Sequence, residues 1–256
     1  MSRAARAAPL FLLAILLLSW EAAVRLLRLP DFIIPPPSAV FLSLWFGFRS
    51  GIYPYHLWIT WVQAVAGFAV ALACGLAAGA VVAEIAVIRK ALYPLVIAFQ
   101  AMPKIALAPL VIIGFGYGIG SKIVLAAVIG FFPILVNTIA GLQDCDAGKI
   151  DVMKSLGASR WQIFRLVKLP NSLPYVFAGM HSAAGFVVLG AVVGEFVGAR
   201  DGLGTLILIA NGDLDAAQVF AILTLLGGLG FGFFAAVREA QRRLLRWAPL
   251  EAVPEG

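Results

Sequence analysis

Long runs of apolar residues without a single charge constrain this chain more than any other feature of its sequence. Residues 64–83 and residues 123–142 each contain twenty consecutive uncharged residues. At a rise of 1.5 Å per residue, such a helix spans about 30 Å, which is the hydrocarbon thickness of a bilayer. A helix also satisfies all of its backbone hydrogen bonds internally, as lipid requires. The two runs therefore predict membrane-spanning helices.

The overall composition excludes most soluble classes of protein. Of 256 residues, 62% are hydrophobic and 12% are charged, whereas ordinary soluble domains are about 45–50% apolar and about 25% charged. A soluble enzyme, a coiled coil and a disordered chain are therefore excluded. The net charge of +6 does not predict a nucleic-acid partner, because the basic residues lie at the ends of apolar runs rather than on one face. The lipid bilayer is the expected partner.

Six apolar segments predict six transmembrane helices in an all-α polytopic membrane protein. These segments are residues 9–23, 64–83, 91–113, 123–142, 169–194 and 216–237. The first segment follows Arg3 and Arg6, as in a cleaved signal peptide, but no small-residue cleavage site follows it. A first transmembrane helix is the favoured interpretation.

The third segment is unusual because it contains both prolines and a charge. Pro94, Pro103 and Pro109 predict a broken helix, which is tolerated at membrane depth only within protein or beside a wet cavity. Lys104 is expected to lie roughly 20 Å deep by helical rise. Because a charge there is costly, Lys104 should attract an anionic substrate or pair with Glu195. A purely structural role between helices is an equal alternative.

Three shorter features complete the organisation. Ser38 follows a proline-rich stretch and is expected to cap a short helix over residues 39–48. That helix is expected on the membrane surface, with an irregular loop as a close alternative. Residues 198–215 are predicted to form a loop. The spacing Gly75-x-x-x-Gly79 predicts close packing of the second transmembrane helix against a neighbour.

Residues 143–168 form the longest polar stretch, and the distribution of charge predicts the side on which they lie. If both termini are cytoplasmic, thirteen basic residues fall inside and five fall outside. Cytoplasmic loops carry an excess of Lys and Arg. We therefore expect a multi-pass membrane protein with both termini, and this polar stretch, in the cytoplasm.

The polar stretch contains a spaced motif. Asp151 lies six positions before Gly157, and nine residues separate Gly157 from the segment Val167-Lys168-Leu169-Pro170. Glycine readily takes the left-handed conformation that ends a helix. A short helix stopped there would expose Val152, Met153 and Leu156 as a compact apolar surface, suited to a groove on a partner subunit. A loop lying on lipid headgroups is the alternative.

This spacing resembles the signature of permeases of ATP-binding-cassette (ABC) importers, in a degenerate form. Other segments are similar to permeases for nitrate, sulfonates, taurine and pyrimidine-type vitamin precursors. They are Ala101-Met102-Pro103-Lys104 within residues 101–110, Phe131-Phe132-Pro133 with Asn137-Thr138, and Gly194-Glu195-Phe196-Val197-Gly198 before Gly202-Leu203-Gly204.

The resemblance implies a type I importer permease fold with a coupling helix between transmembrane helices 4 and 5. All of residues 1–256 would form one permease domain, in which residues 1–58 are an N-terminal segment, residues 59–248 the core and residues 144–169 a coupling loop. The residues implied in ATPase docking are Asp151, Val152, Met153, Ser155, Leu156, Gly157 and Ala158. The residues expected to line the translocation pathway are Gln100, Met102, Lys104, Asn137, His181 and Glu195.

The same resemblance implies partners. They are two ATPase subunits, a second permease copy in a homodimer and a periplasmic or lipoprotein substrate-binding protein in a bacterial inner membrane. ATP and Mg would bind the ATPase, because this chain has no G-x-x-x-x-G-K-[ST] motif. It would therefore not be an enzyme, and no Cys/His cluster predicts a metal site.

The solute stays open between two groups. One comprises small anions such as sulfonates, taurine, nitrate or aromatic carboxylates, which Lys104 favours. The other comprises vitamins or their precursors, such as riboflavin or a hydroxymethylpyrimidine. A secondary transporter or channel is the alternative of another class, but the sequence shows no internal repeat.

Overall fold

The computed structural model describes the backbone of residues 3–245 and the side chains of residues 11–245. Helices make up almost all of this stretch of the chain and no strand occurs in it, so the all-α prediction is confirmed. The helices are α1 (Arg3–Leu26), α2 (Pro37–Arg49), α3 (Ile52–Glu84), α4 (Ala86–Ala101), a 3-10 segment (Lys104–Leu107), α5 (Ala108–Phe115), α6 (Ile119–Gln143), α7 (Ala147–Ser155), α8 (Arg160–Ile163), a π-helical segment (Phe164–Lys168), α9 (Leu169–Phe196), α10 (Leu203–Gly212) and α11 (Ala216–Leu244).

Four continuous helices among the described residues are long and apolar enough to cross a membrane. They are Ile52–Glu84, Ile119–Gln143, Arg160–Phe196 and Ala216–Leu244. Each contains one of the predicted transmembrane segments, since the uncharged runs are long enough to span the hydrocarbon core. The predicted first segment lies in α1, and its residues 9 and 10 fall outside the described side chains. The count of six transmembrane helices stays a prediction.

The third predicted segment is broken, but at one place rather than three. Helix α4 ends at Ala101, and the pair formed by Ala86–Ala101 and Lys104–Phe115 is bent by 92°. Pro94 lies inside α4 without ending it, and Pro109 lies in the first turn of α5, where its missing N–H is not needed. The straight helix on which the expected depth of Lys104 was based is therefore wrong, because the chain turns immediately before Lys104.

The chain divides into two compact units. The first comprises residues 1–59 and 200–228. Its core contains Val40, Tyr53, Leu203, Leu206, Ala221 and Ile222.

Three expectations for this first unit are wrong. Ser38 does not cap α2, which begins at Pro37; its backbone N–H and hydroxyl instead donate to the Glu21 carboxylate at 3.0 and 2.8 Å. Val40 is buried in the core rather than on a membrane-surface face. Likewise, the predicted loop at 198–215 contains the apolar helix α10, whose ten residues are too few to resemble a transmembrane segment.

The second unit comprises residues 60–199 and 229–256, and its centre is the pair of helices α6 and α9. Glycines let their backbones approach closely: a Cβ on Gly190 would lie 2.7 Å from the Cα of Ala126. The predicted close packing at Gly75 and Gly79 is confirmed, because a Cβ at either would lie within 2.8 Å of a side chain of α6. Small residues permit this approach in membrane helices, where van der Waals contact drives association.

Candidate functional site

The polar segment between α6 and α9 forms a short helix and a turn. Helix α7 runs over Ala147–Ser155, and Asp146 caps it by accepting from the Gly148 N–H at 2.8 Å. Gly157 has a φ of +76°, which confirms the predicted left-handed helix end. The N–H groups of Gly157 and Ala158 donate to the Lys154 and Met153 carbonyls at 2.9 and 3.0 Å. This pattern satisfies the last carbonyls of the helix.

The next helix starts with a reciprocal cap. The Gln162 N–H donates to the Ser159 hydroxyl at 3.3 Å, while the Ser159 N–H donates to the Gln162 side chain at 2.7 Å. A capping box of this kind satisfies two orphan donors at once. Helix α8 then passes through the π-helical segment into α9 without a break. The turn at Gly157 is thus fixed by hydrogen bonds on both sides.

The outer surface of this segment is apolar although its surroundings are polar. Val152 and Leu156 are 59% and 76% exposed, and Trp161 and Leu166 are similarly open. Asp151 and Ser155 lie on the same short helix, where Asp151 accepts from Lys154 at 2.9 Å. Sequence reasoning missed Trp161, which stacks on Phe164 at 5.6 Å; two aromatic residues three positions apart in a polar segment were the available signal.

Behind this surface lies a groove of about 710 Å³ between α7 and the base of α9. Met153, which is half-buried, lines the groove rather than the outer face. Lys149 and Asn171 provide polar lining, and Leu166 and Pro170 provide apolar lining. The segment therefore offers an exposed apolar surface beside a polar-rimmed groove, as protein–protein contacts commonly do.

An ion pair ties this segment to α3. The Lys168 ammonium donates to the Glu84 carboxylate at 2.7 Å, and both side chains are about one-quarter to one-third exposed. Arg89, which follows Glu84 in the chain, donates to the Ala83 carbonyl instead of the Glu84 carboxylate. The π-helical segment is thus fixed to the end of a membrane-spanning helix.

A second candidate site lies at the bend before Lys104. A cavity of about 280 Å³ is lined by Gln100, Pro103, Lys104, Ile105, Ile129, Pro133, Phe186 and Leu189. Lys104 donates to the Gln100 carbonyl at 3.0 Å, and its Nζ lies 5.0 Å from the centroid of the Phe132 ring. The cavity therefore combines a mostly apolar wall with one ammonium and one amide, a composition typical of small-molecule sites.

The structure does not bring all six predicted pathway residues together. Of these six, only Gln100 and Lys104 line the described cavity; Met102 is exposed beside the bend. The expected pairing of Lys104 with Glu195 is not observed among the described residues, where Glu195 accepts from Thr60 at 2.8 Å.

Asn137 and His181 each make a hydrogen bond to another group of the protein. Asn137 donates to the Pro133 carbonyl at 2.8 Å within α6, at a point where Gly179 of α9 approaches it closely. His181 Nε2 and the Gln241 side chain are 2.8 Å apart. The contact of His181 therefore joins α9 to α11, as polar side chains commonly do between membrane helices.

Lys122 is the charged residue that sequence reasoning misplaces. Its position predicts an exposed charge at the outer end of a transmembrane helix, yet it is only 2% exposed. Its Nζ donates to the Tyr117 carbonyl at 2.5 Å and to the Gly198 carbonyl at 3.4 Å. A lysine at the start of an apolar run resembles a topology signal, so no pattern in the sequence distinguishes a buried lysine at this position from an exposed one.

Comparison with known proteins connects these features. Residues 71–246 match the family described as "Binding-protein-dependent transport system inner membrane component". The riboflavin transport system permease protein RibX of Chloroflexus aurantiacus is 39% identical over 92% of this chain and 88% of that protein. The formylaminopyrimidine transport permease protein ThiX of Halalkalibacterium halodurans is 31% identical over 93% and 95%. The taurine transport system permease protein TauC of Escherichia coli is 29% identical over 92% and 87%.

Solved structures agree on the fold. The MetNI methionine ABC transporter in an inward-facing conformation contains a chain with a TM-score of 0.64 and 22% identity, over 73% of this chain and 94% of that one. A chain of an amino acid ABC transporter has a TM-score of 0.63 and 16% identity, over 78% and 98%. The chain therefore belongs to the binding-protein-dependent inner membrane components, the permease subunits of ABC importers, and is a non-catalytic, multi-pass membrane protein.

Proposed function

We propose that the chain forms the translocation pathway of an ABC importer for a small solute. A substrate-binding protein delivers the solute, and ATP with Mg binds to separate ATPase subunits that drive transport. Two permease copies, as a homodimer, and two ATPases make up the proposed machine in the bacterial inner membrane. The observation that carries this proposal is the exposed apolar surface of α7 and α8, on a chain that belongs to the importer permeases.

The docking surface is proposed to comprise Asp151, Val152, Met153, Ser155, Leu156, Gly157 and Ala158, with Trp161 added from the structure. Helix α7 is the proposed coupling helix. Its support is twofold: the turn is fixed by the hydrogen bonds at Gly157 and Ser159, and large apolar side chains there are open rather than buried. An apolar helix face presented in this way suits a groove on a partner.

The topology completes the proposal. Six transmembrane helices, counting α1 and the bent pair of α4 and α5 as one each, put both termini on the same side of the membrane, which we propose is the cytoplasmic side. The proposed coupling helix then also lies in the cytoplasm, where the ATPase is. The excess of basic residues on that side supports this orientation.

The solute is proposed to pass the cavity at Lys104. A small anionic solute, such as a sulfonate, taurine, nitrate or an aromatic carboxylate, is supported by the ammonium group in the cavity. A vitamin or vitamin precursor is equally supported, because relatives carry the names riboflavin and formylaminopyrimidine transport permease. The mostly apolar cavity wall favours a solute with a ring over a fully polar one.

Site-specific crosslinking tests the docking surface. Cys74 and Cys145 are first replaced by alanine, and cysteine is then introduced as Ser155→Cys in the chain expressed together with its ATPase. A short bis-maleimide is expected to link Ser155→Cys to the ATPase when a cysteine is also introduced into the proposed groove of the ATPase. Ser50→Cys, at the exposed end of α2, is the control and should give no link.

Failure of crosslinking at every position from 148 to 158 would overturn the docking proposal. Copurification of the chain without any ATPase, with ion-driven uptake into liposomes, would instead support a secondary transporter. Both outcomes are measured with the same preparation of the purified protein.

A further inference from the structure

The polar segment that carries the proposed docking surface is joined to the rest of the chain in two different ways. At its far end, α8 and the π-helical segment run into α9 without a break. At its near end, only Asp144, Cys145 and Asp146 connect α6 to α7, and these three residues lie outside any helix. The position of the first turn of α7 therefore depends on what holds this short connection.

Two side chains from the first turns of α9 bind Asp144. The Tyr175 hydroxyl donates to the Asp144 carboxylate, and the side-chain amide of Asn171 donates to the Asp144 carbonyl at 2.7 Å. Asn171 and Tyr175 are four positions apart in the sequence, which places them on one face of α9. Asp144 is thus bound by α9 through both its side chain and its backbone.

The packing of α6 on α9 brings these groups together but does not replace them. A Cβ on Gly141 of α6 would lie 2.7 Å from the Cβ of Tyr175 and 3.0 Å from the Cα of Ser172, so the end of α6 lies directly against the start of α9. The Asp144 N–H still donates to the Ala140 carbonyl of α6 at 2.9 Å. Its carbonyl points out of the helix, and that carbonyl is the one that α9 holds.

The direction of the Asp144 carbonyl determines how the chain leaves α6. A peptide unit is planar, so fixing this carbonyl also fixes the following N–H group. Two residues later, Asp146 begins α7: its carboxylate accepts from the Gly148 N–H at 2.8 Å and its carbonyl accepts from the Ile150 N–H at 3.3 Å. Asn171 also lines the groove opposite Lys149 of α7. The contacts of Asp144 therefore act next to the first turn of α7.

We propose that Tyr175 and Asn171 are positioning residues that act through Asp144. They set the direction in which the chain leaves α6, and so hold the first turn of α7, and with it the docking surface, on the base of α9. Movement of this surface then reaches α9 both through Asp144 and through α8. The role of the surface in ATPase docking rests on the proposed function, whereas the positioning is a property of this chain alone.

Hydrogen exchange of the purified chain in detergent measures the positioning without any partner or solute. In Tyr175→Phe, which removes only a hydroxyl, exchange of peptides covering residues 144–150 is expected to rise about tenfold, the factor for losing one hydrogen bond to a charged group. Tyr53→Phe is the matched control, because it removes a hydroxyl that lies 2.9 Å from the Ser43 hydroxyl in the first unit. Unchanged exchange of residues 144–150 in Tyr175→Phe, or an equal rise in the control, would overturn the proposal.

A reversible crosslink separates positioning from general stabilisation. With Cys74 and Cys145 replaced by alanine, the double variant Asp144→Cys with Asn171→Cys removes both hydrogen bonds from α9 to this point. It should lower the uptake per ATP hydrolysed by the reconstituted transporter. Joining the two cysteines with a short bis-methanethiosulfonate should restore this ratio, and a reductant should reverse the recovery. Asp144→Cys alone, treated with the same reagent, is the control and should not recover.

Three results would overturn the proposal. They are an unchanged ratio before crosslinking, a crosslink that forms without recovery, and the absence of any crosslink, which would show that the two positions do not lie side by side. Failure of the Ser155→Cys crosslink to the ATPase would count against the proposed function instead, and would leave the hydrogen exchange result unaffected.

Discussion

Lys104 and Lys122 are two lysines in neighbouring helices whose environments differ completely. Lys104 is half-buried beside a cavity, with one backbone hydrogen bond and an aromatic ring nearby. Lys122 is enclosed and bridges two turns. A side chain at a cavity can interact with a solute, whereas an enclosed one stabilises the surrounding backbone. We therefore propose the pathway role for Lys104 rather than for Lys122.

Replacing Lys104 tests whether the solute carries negative charge. In the complete transporter, Lys104→Met should raise the KM for an anionic solute about tenfold, since a charge-assisted contact is lost. Lys104→Arg keeps the charge and should have a smaller effect. The KM of both variants is measured from the uptake of radiolabelled taurine or riboflavin by cells. The solute used is whichever of the two the unaltered transporter accepts.

Unchanged uptake kinetics in Lys104→Met would rule out contact with the solute. Basal ATP hydrolysis serves as the control, because Lys104 lies far along the chain from the proposed docking surface. Uptake of riboflavin but not of taurine by the unaltered transporter would favour the vitamin as solute.

At the residue level, the sequence predicts some features for clear physical reasons. Gly157 is predictable because a glycine after a short polar helix is a common helix end, and its φ of +76° agrees. The burial of Lys122 is not predictable, since it depends on which carbonyls the fold brings to its ammonium. The contact of Ser38 with Glu21 is missed for the same reason: it joins residues far apart in sequence.

Among the helical elements, the π-helical segment Phe164–Lys168 connects the proposed docking surface to α9. A π-helical turn inside a helix commonly marks a functional position. The ion pair between Lys168 and Glu84 holds this segment to the end of α3. Movement at α7 would therefore reach both α9 and α3.

Exchanging the charges of this pair tests its role in coupling. Lys168→Met should weaken the contact by about 0.5–1 kcal/mol, as expected for a partly exposed ion pair, and lower uptake per ATP hydrolysed. The double variant Glu84→Lys with Lys168→Glu restores opposite charges and should recover most of the uptake per ATP hydrolysed. Arg243→Met, which removes an exposed pair within α11, is the control.

Equal transport-to-ATP ratios in the unaltered chain and in Lys168→Met would contradict the coupling role. Failure of the exchanged pair to recover the ratio would show that Lys168 acts through something other than Glu84. Both measurements use the reconstituted transporter.

At the level of elements, apolar runs predict the long helices well because length and lack of charge together specify a membrane-spanning helix. Breaks are harder to predict. Pro103 follows the end of α4 while Pro94 stays inside it, since neighbouring groups can satisfy a carbonyl freed by proline. Helix α10 is missed because ten residues between glycines resemble a loop.

Over the whole molecule, basic residues predict the orientation, and the native Cys145 gives a way to measure it. Cys145 follows α6 and is half-exposed, whereas Cys74 lies within α3. With Cys74→Ala, a membrane-impermeant maleimide should label Cys145 in inverted vesicles but not in intact spheroplasts. The physical reason is that the reagent reaches only thiols on its own side of the bilayer.

A chain with Cys74→Ala, Cys145→Ala and Ser50→Cys should give the opposite pattern. Labelling of Cys145 from outside in intact spheroplasts would contradict the proposed orientation and with it the cytoplasmic position of the docking surface. Mass spectrometry of the labelled peptides identifies the modified cysteine directly.

The close glycine contacts between α6 and α9 have a mechanical consequence. Helices whose backbones contact each other closely at Gly190 and Gly194 resist sliding. The two helices should therefore move as one rigid body that pivots at the π-helical segment. Helix α9 has 28 residues, or about 42 Å, so a tilt of about 5° at one end displaces the other by about 4 Å. A small rotation at the π-helical end of α9 is thus enough to move side chains at the far end of this helix by about the width of a methyl group.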